Sequence, residues 1–310
     1  MISLLDGLSE PFDHLDSAGA RAALRTHWGI EGPHPVRLDT ERDDTFRAGD
    51  VLLKVAHPRD DSAVIEMQSA AMAHVAATDP GIPTQRVVAT LDGSQSATVA
   101  GRHARVLTWL DGDLVEGQDL PVTFFETAGR MLGRLNRALA GFRHPGAHRD
   151  LAWDLPHLPA LRTHTTTPLH LEVIDRFTAE TLPALATLPH QVIHNDSHPG
   201  NLLVRAGSLA GILDFGDAVY SPRVCDLAVA LAYLVPDRPR PWPEVDAFTA
   251  GFLSEVPLSD GEIEQLPMLL AARTIMRSVI NQTLQRDAHS DPSGFYAAND
   301  RKLHLIMRET

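Results

Sequence analysis

The segment VIHNDSHPGNLLV, residues 192–204, places two histidines, two asparagines and an aspartate between two apolar runs. The apolar runs predict two short strands, and Pro199 and Gly200 predict a turn between them. A loop fixed in this way can hold side chains that bind a metal or move a proton. Because few folds place so many polar groups in one such turn, this segment constrains the chain more than any other.

A metal site is one interpretation of the segment. His194, Asp196 and His198 alternate, and on a strand they would share one face. Pro199 breaks such a strand, however, and no second His/Asp pair at a ligand spacing stands out elsewhere in the chain. The metal site is therefore the weaker of two hypotheses.

A phosphoryl-transfer loop is the other interpretation. Asp196 and Asn201 are separated by four residues, and ILDFGD places Asp214 after a short hairpin. His-x-Asp-x-x-x-x-Asn followed by Asp-Phe-Gly is the outline of a kinase catalytic and metal-binding pair. One carboxylate would take or orient the proton of the attacking hydroxyl. An amide oxygen and a second carboxylate would hold Mg²⁺, which prefers hard oxygen ligands.

A kinase also needs a cation that grips the phosphates. Lys54 lies within the apolar run VLLKVA, which predicts a strand, and Glu66 follows twelve positions later in a predicted helix. Glu66 is expected to pair with Lys54 and orient it. Each feature alone is weak evidence, but Lys54, Glu66, the catalytic loop and Asp214 occur in the order that a kinase requires.

The pattern of apolar residues predicts an α+β protein with two lobes. Up to Leu110 the expected order is helix, three strands, helix and two strands, with Ser17 as the first helix cap. Later segments are mainly helical. We expect a nucleotide-binding lobe over residues 1–110 and a helical lobe over residues 111–310, which would carry the catalytic loop and the substrate site.

Composition narrows the classes of function. The 310 residues carry 27 Lys and Arg against 40 Asp and Glu, a formal net charge of −13, which disfavours nucleic acid and anionic membranes as partners. Cys225 is the only cysteine, so no disulfide can form within the chain. No basic, apolar leader is recognised at the N-terminus, and no run reaches about 20 apolar residues. These features predict a cytoplasmic protein.

With these motifs in place, the chain resembles the aminoglycoside phosphotransferase-like kinases, a family that includes choline, homoserine and hydroxylysine kinases. The resemblance extends from about residue 35 to 285 and is most specific in VIHNDSHPGNLLV and GILDFGDAVYSPRVCDLAVAL. It implies a protein-kinase-like fold with a small β-rich lobe and a larger helical lobe. No Gly-x-Gly-x-x-Gly loop is present near residues 40–50, so DTERDDTF is expected to cover the phosphates. No Ala-Pro-Glu follows Asp214, which argues against protein substrates.

The resemblance also implies roles for individual residues. Asp196 would be the catalytic base, and Asn201 and Asp214 would bind Mg²⁺. Lys54 would contact the phosphates of ATP or GTP, with Glu66 as its brace. The purine would meet backbone groups of the hinge residues, which are Thr108, Trp109 and Leu110. His194 is expected to be structural, and Asp226 is expected to support the loop.

The acceptor is less constrained by the sequence. A local likeness to hydroxylysine kinases favours a small acceptor with an amine, for which Asp217 and Asp154 are candidate ligands and Trp153 a candidate pocket wall. Arg273 and Arg277, four residues apart on a helix, are candidates for binding a carboxylate. An aminoglycoside remains an alternative acceptor. A nucleotide-binding protein without transfer activity is an alternative of a different class.

Overall fold

A computed structural model describes residues 12–40, 43–284 and 294–308. Eight helices and strands form the N-terminal part. They are α1 (Ser17–Trp28), β1 (Val36–Leu38), β2 (Asp44–Ala48), β3 (Val51–Val55), α2 (Ser62–Thr78), β4 (Val87–Val88), β5 (Ala97–Val99) and β6 (Arg102–Thr108). The six strands make one antiparallel sheet in the order β1-β2-β3-β6-β4, with β5 also pairing β6.

Two details differ from the sequence prediction. The cap of α1 is Asp16, whose Oδ1 accepts a hydrogen bond from the Gly19 N–H, and Ser17 is the first helical residue. Three strands rather than the predicted two follow α2, because the segment before β6 folds back as β5 around Ala100 and Gly101, both at positive φ.

The sheet buries both of its faces. Leu53 pairs with Val106, and these two side chains belong to a core that α1 covers. Leu52 and Leu107 face the opposite side and join the large core that includes α2 and the C-terminal helices. Side chains alternate along a strand, so Lys54 lies on the same face as Leu52, towards the C-terminal part.

The C-terminal part is mainly helical. Its strands and α-helices are β7 (Asp113–Leu114), α3 (Val122–Leu139), α4 (Pro168–Arg176), α5 (Leu182–Leu185), β8 (His190–Ile193), β9 (Leu202–Arg205), β10 (Ser208–Ile212), β11 (Val219–Pro222), α6 (Val224–Leu234), α7 (Pro243–Leu253), α8 (Asp260–Leu284) and α9 (Phe295–Met307). β7 pairs with β9 in a three-stranded sheet, so the chain has joined the C-terminal part by residue 113.

Two glycines let helices α3 and α7 lie in direct backbone contact. A Cβ added at Gly129 would be 2.0 Å from the Phe248 carbonyl oxygen, and one added at Gly251 would be 2.0 Å from that of Glu126. Only hydrogen fits at either position. None of the helices in the described ranges combines the length and apolar character that crossing a membrane requires.

Candidate active site

The predicted catalytic loop lies between β8 and β9, which belong to different sheets. β8 pairs with β11, whereas β9 pairs with β10 and β7. The loop turns at Asn195, which has a φ of 63°, an unusual value for a residue with a side chain. The buried Asp226 stabilises this turn by accepting hydrogen bonds from the Asn195 N–H and from Asn136 Nδ2, each at 3.0 Å.

Two side chains hold the Asp196 carboxylate. Asn201 Nδ2 donates to Oδ2 at 2.7 Å, and Arg273 Nη2 donates to Oδ1 at 3.1 Å. Burial chiefly, with the Asp217 carboxylate next, raises the pKa of Asp196 well above its usual value, while the Arg273 charge opposes the rise. Asp196 is therefore a positioned carboxylate with increased affinity for a proton, as a general base needs.

Lys54 reaches across from β3 to the loop that follows β10. Its Nζ lies 3.4 Å from Oδ2 of Asp214 and 3.4 Å from Oδ2 of Asp43. Burial by itself lowers the pKa of Lys54, but the charges of Asp214 and then Asp43 outweigh it and raise that pKa. The two lobes thus meet at an ion pair. The charge of Asp214 also contributes to the raised pKa of Asp196, so Asp196 lies near this ion pair.

Asp214 adopts strained backbone geometry, with φ 58° and ψ 93°. Its Oδ1 accepts a hydrogen bond from the Gly216 N–H at 2.8 Å. The charge of Lys54 is the main cause that lowers the pKa of Asp214 to about 2, so this carboxylate is ionised near neutral pH. Strain of this kind persists where the surroundings impose it, and here it points a carboxylate into the cleft.

The predicted brace for Lys54 is wrong. Glu66 is exposed on α2 and forms no ion pair with Lys54. Gln68, two residues later and about 200° further around the helix, is buried and donates to the Gly216 carbonyl at 3.2 Å. Sequence reasoning also missed Arg105, a buried cation that pairs in register with Lys54 and helps to lower the pKa of Asp214.

Backbone hydrogen bonds reduce the number of hinge groups that could contact a purine. The N–H of Thr108 donates to the Arg86 carbonyl and that of Trp109 donates to the Asp50 carbonyl, each at 2.8 Å. Neither N–H is available to a purine. The Trp109 ring stacks on the Arg47 guanidinium, whose carbon lies 3.9 Å from the ring centroid. That face of the ring is therefore occupied by Arg47. The Trp109 carbonyl and the backbone of Leu110 remain as candidate purine contacts.

The histidines of the loop do not form a metal site. His194 is buried, its Nε2 donates to the Leu213 carbonyl, and burial lowers its pKa. His198 Nδ1 accepts from the Gly200 N–H, and burial, followed by the charges of Arg273 and Arg277, lowers its pKa to about 4. In the part of the chain that the structure describes, no three His, Cys, Asp or Glu side chains group as ligands.

The oxygens of Asn201 and Asp214 fit a magnesium ion instead. Both Asn201 amide hydrogens are directed to Asp196, since Nδ2 donates to its Oδ2 and to its carbonyl oxygen, which leaves the Asn201 Oδ1 pointing elsewhere. Mg²⁺ is commonly bound by one or two protein oxygens together with phosphates and water. Asn201 and Asp214 form such an incomplete set.

The predicted acceptor ligands separate into two groups. Asp154 is wrong as an ammonium ligand, because it is buried and accepts a hydrogen bond from the Ser221 hydroxyl at 2.7 Å. The Trp153 carbonyl accepts from Arg273 Nη1 at 2.9 Å, and its ring packs 4.8 Å from the same guanidinium. Trp153 thus borders the catalytic base through Arg273. Asp217 and Arg277 also lie beside the cleft, since the charge of Asp217 acts on Asp196 and that of Arg277 on His198.

Known proteins are similar to this chain in sequence. The sequence model of the phosphotransferase enzyme family, APH, matches residues 35–256. A hydroxylysine kinase from Danio rerio is 25% identical over 251 residues, covering 73% of this chain and 70% of the relative. A homoserine kinase from Azorhizobium caulinodans is 30% identical over 224 residues, covering 70% of this chain and 68% of the relative.

Solved structures share the fold. An amicoumacin kinase, hAmiN, in complex with AMP-PNP and Ca²⁺, superposes with a TM-score of 0.74 at 19% identity, covering 96% of this chain and 94% of that one. A GDP complex of aminoglycoside 2′-phosphotransferase-IIIa superposes with a TM-score of 0.63 at 15% identity, covering 95% and 99%. The protein-kinase-like fold predicted from the sequence is confirmed. By the extent of its match, this chain belongs to the phosphotransferase enzyme family and is a small-molecule phosphotransferase.

Proposed function

We propose that the protein transfers the γ-phosphoryl group of ATP or GTP, with Mg²⁺, to a hydroxyl of a small amine-bearing acceptor such as hydroxylysine or homoserine. One observation carries the proposal. The Lys54–Asp214 pair, at 3.4 Å, and the positioned carboxylate of Asp196 share one cleft between the lobes.

Lys54 is the group that would contact the nucleotide phosphates. Its charge is maintained because Asp214 and Asp43 raise its pKa, and it comes from a strand buried on both faces. Arg105 adds a second positive charge beside it. The purine would lie against Leu110 and the Trp109 carbonyl. These assignments support nucleotide binding on the N-terminal side of the cleft.

Asn201 and Asp214 are the residues that would hold the magnesium ion. When bound, Mg²⁺ would neutralise charge on the phosphates. Asp214 is suited to this because its pKa of about 2 keeps it ionised at any pH at which the enzyme would work. Asn201 links the metal position to the base, since its amide donates to Asp196.

Asp196 would orient the acceptor hydroxyl and accept its proton. Phosphoryl transfer needs little covalent chemistry from the protein, so positioning and electrostatics account for most of the rate. Arg273 and Asn201 fix both carboxylate oxygens, which leaves the remaining lone pairs for a hydroxyl.

An amine on the acceptor agrees with the acidic character of the chain and with the position of Asp217 near Asp196. The relatives of this chain include a hydroxylysine kinase and a homoserine kinase, which favours these two acceptors. An aminoglycoside is the alternative, favoured only by similarity of fold to aminoglycoside phosphotransferases.

A substrate screen with purified protein tests the proposal. Hydroxylysine, homoserine, choline and several aminoglycosides would each be offered with ATP and with GTP, and nucleotide consumption would be followed together with phosphorylated product. Asp196→Asn should lower turnover by at least about 10²–10⁴-fold while nucleotide binding persists. Near-normal turnover in this variant would remove Asp196 from the role of base. Nucleotide binding without transfer to any acceptor would favour the non-catalytic alternative.

A further inference from the structure

A group of cations lies beside the catalytic base in a protein that is otherwise acidic. Arg273 and Arg277 are one turn apart on α8, and Lys302 of α9 is close enough that the Arg277 charge, after burial, lowers the pKa of Lys302. The net charge of the chain is −13, so three cations at one place need an explanation.

Arg273 forms a direct ion pair with a carboxylate, whereas Arg277 forms none among the described residues, although the charge of Glu116 acts on it. Arg273 is buried and forms an ion pair with Asp196. Arg277 makes no ion pair with a carboxylate in the described ranges, and its Nη1 atom is enclosed without a hydrogen-bond partner there. Leaving a buried donor without a hydrogen-bond partner is unfavourable, and more so when the donor is charged. Such a group is retained more readily when a ligand supplies its partner.

Aromatic packing holds Arg277 in place. Its guanidinium carbon lies 3.9 Å from the Tyr233 ring centroid and 5.3 Å from that of Phe295. A guanidinium stacked on one face keeps its N–H donors at the edge, where a carboxylate can approach in the same plane. Tyr233 also accepts a side-chain hydrogen bond from Arg277, so the rings orient the guanidinium while its Nη1 has no partner among the described residues.

A continuous wall connects Arg277 to the catalytic base. The Tyr233 ring also stacks on His198, with centroids 4.6 Å apart and planes 16° from parallel. His198 Nε2 in turn lies 3.7 Å from Oδ2 of Asp196. Residues one turn apart on a helix have Cβ atoms roughly 5–6 Å apart, and Arg273 already contacts Asp196. A short carbon chain would span from a hydroxyl at Asp196 to an anion at Arg277.

The anion at Arg277 is better explained by the acceptor than by the nucleotide. Arg277 stacks on Tyr233, which stacks on His198 beside Asp196, so it adjoins the proposed base. Lys54 and Asp214, which would hold the phosphates and metal, pair with each other instead. An aminoglycoside, which is polycationic, would be repelled by this cluster.

We propose that Arg277 binds the carboxylate of the acceptor, and that the enzyme therefore prefers hydroxy-amino acids to amino alcohols and aminoglycosides. This inference rests on the proposed function and narrows its acceptor. Tyr233 and His198 form the wall along which the acceptor lies, and Glu116, an exposed carboxylate near His198 and Gly200, faces the same space.

The test compares acceptors that differ only in charge. Homoserine is paired with its carboxamide and with 3-amino-1-propanol, which lacks the carboxylate, and hydroxylysine is paired with its carboxamide. For the unmodified enzyme kcat/KM should favour the acids by roughly 10- to 100-fold, the range expected for a charge-assisted contact. Arg277→Met should remove this preference by raising KM for the acids while values for the neutral acceptors stay nearly constant.

Two controls keep the result interpretable. Arg176→Met changes an exposed arginine that pairs with Glu180 and should leave both rates unchanged. Calorimetric titration of homoserine and its amide into the enzyme with Mg·ADP measures binding without turnover, and the melting temperature of each variant reports folding.

The outcomes separate the two proposals. Equal rates and equal binding for acids and amides would overturn the carboxylate site but leave phosphotransfer intact. Preference for the acids that survives in Arg277→Met would also overturn it. Acid-selective binding that Arg277→Met abolishes, without transfer to any acceptor, would support the anion site and count against the proposed function.

Discussion

Arg273 Nη2 lies 3.1 Å from Asp196 Oδ1, so a fully buried cation from α8 contacts the proposed catalytic base. The same guanidinium donates to the Trp153 carbonyl at 2.9 Å. Arg273 thus donates to two fixed acceptors, which restrict its position. We assign it as a positioning residue for Asp196, distinct from its neighbour Arg277.

Removing the Arg273 charge should move the pH profile. Burial raises the pKa of Asp196 and the Arg273 charge opposes that rise, so Arg273→Gln should raise this pKa further. Because the base must be ionised, the acid limb of kcat/KM should move to higher pH by roughly 1–3 units. Arg273→Lys, which keeps the charge, should move it less. An unchanged limb in the folded Gln variant would show that Arg273 does not tune Asp196.

Asp214→Asn should separate metal binding from nucleotide binding. Loss of a metal ligand should weaken Mg·ATP binding by at least the 10- to 100-fold typical of outer-shell changes. In EDTA, affinity for free ATP should be equal or greater, because a negative charge beside the phosphates has been removed. Titrations with and without Mg²⁺ measure both. Equal losses in the two conditions would point to a folding defect rather than a metal role.

Asp43→Asn should strengthen nucleotide binding. The Asp43 carboxylate lies 3.4 Å from Lys54 Nζ and competes with phosphate for it. Releasing Lys54 from one partner is worth up to about 1 kcal/mol, or roughly fivefold in Kd. Titration of ATP into both proteins measures the change. Weaker binding would instead mean that Asp43 holds Lys54 in its working position.

Substitutions at Gln68 and Glu66, both on α2, test which of the two residues supports the nucleotide site. Gln68 is buried and contacts Gly216 in the loop after Asp214, so Gln68→Ala should lower kcat and weaken Mg·ATP binding. Glu66 is exposed, and Glu66→Ala should alter neither by more than about twofold, in line with surface substitutions generally. A larger loss from Glu66→Ala would instead indicate that Glu66 pairs with Lys54, as the sequence predicts, after α2 changes its position.

Gly129→Ala should destabilise the helical lobe. The added Cβ would be 2.0 Å from the Phe248 carbonyl oxygen, so α3 and α7 would have to separate. Overpacking of this kind costs about 1–3 kcal/mol or more. Gly141→Ala is the control, because nothing lies within 4 Å of a Cβ there. Thermal unfolding of both variants measures the difference, and similar melting temperatures would argue against the close helix contact.

The site residues that the sequence indicates most directly are those whose positions are set by local spacing. Asp196, Asn201 and Asp214 lie in short motifs, and Lys54 lies in a strand whose apolar neighbours determine its face. The structure brings these four together across the cleft. Local patterns carry such information because turns and strand alternation are decided within a few residues.

The residues missed or misassigned depend on long-range geometry. To identify Gln68 rather than Glu66, one must know which side of α2 faces the site. The sequence does not reveal this side, because apolar residues are distributed nearly uniformly around α2. Finding Arg105 requires the register between β3 and β6. The carboxylate of Asp154 could bind an ammonium group by its chemistry. Only the structure shows that it is buried and hydrogen-bonded to Ser221.

Pairing of β7 with β9 has a mechanical consequence. The Trp109 N–H donates to the carbonyl of Asp50, in the turn between β2 and β3, while Asp113 is already paired with Val204, three residues after Asn201. Only residues 110–112 lie between these anchor points. Opening or closing of the cleft must therefore be absorbed by the torsions of three linking residues, and a lengthened or shortened linker would shift the purine against the phosphate-binding groups.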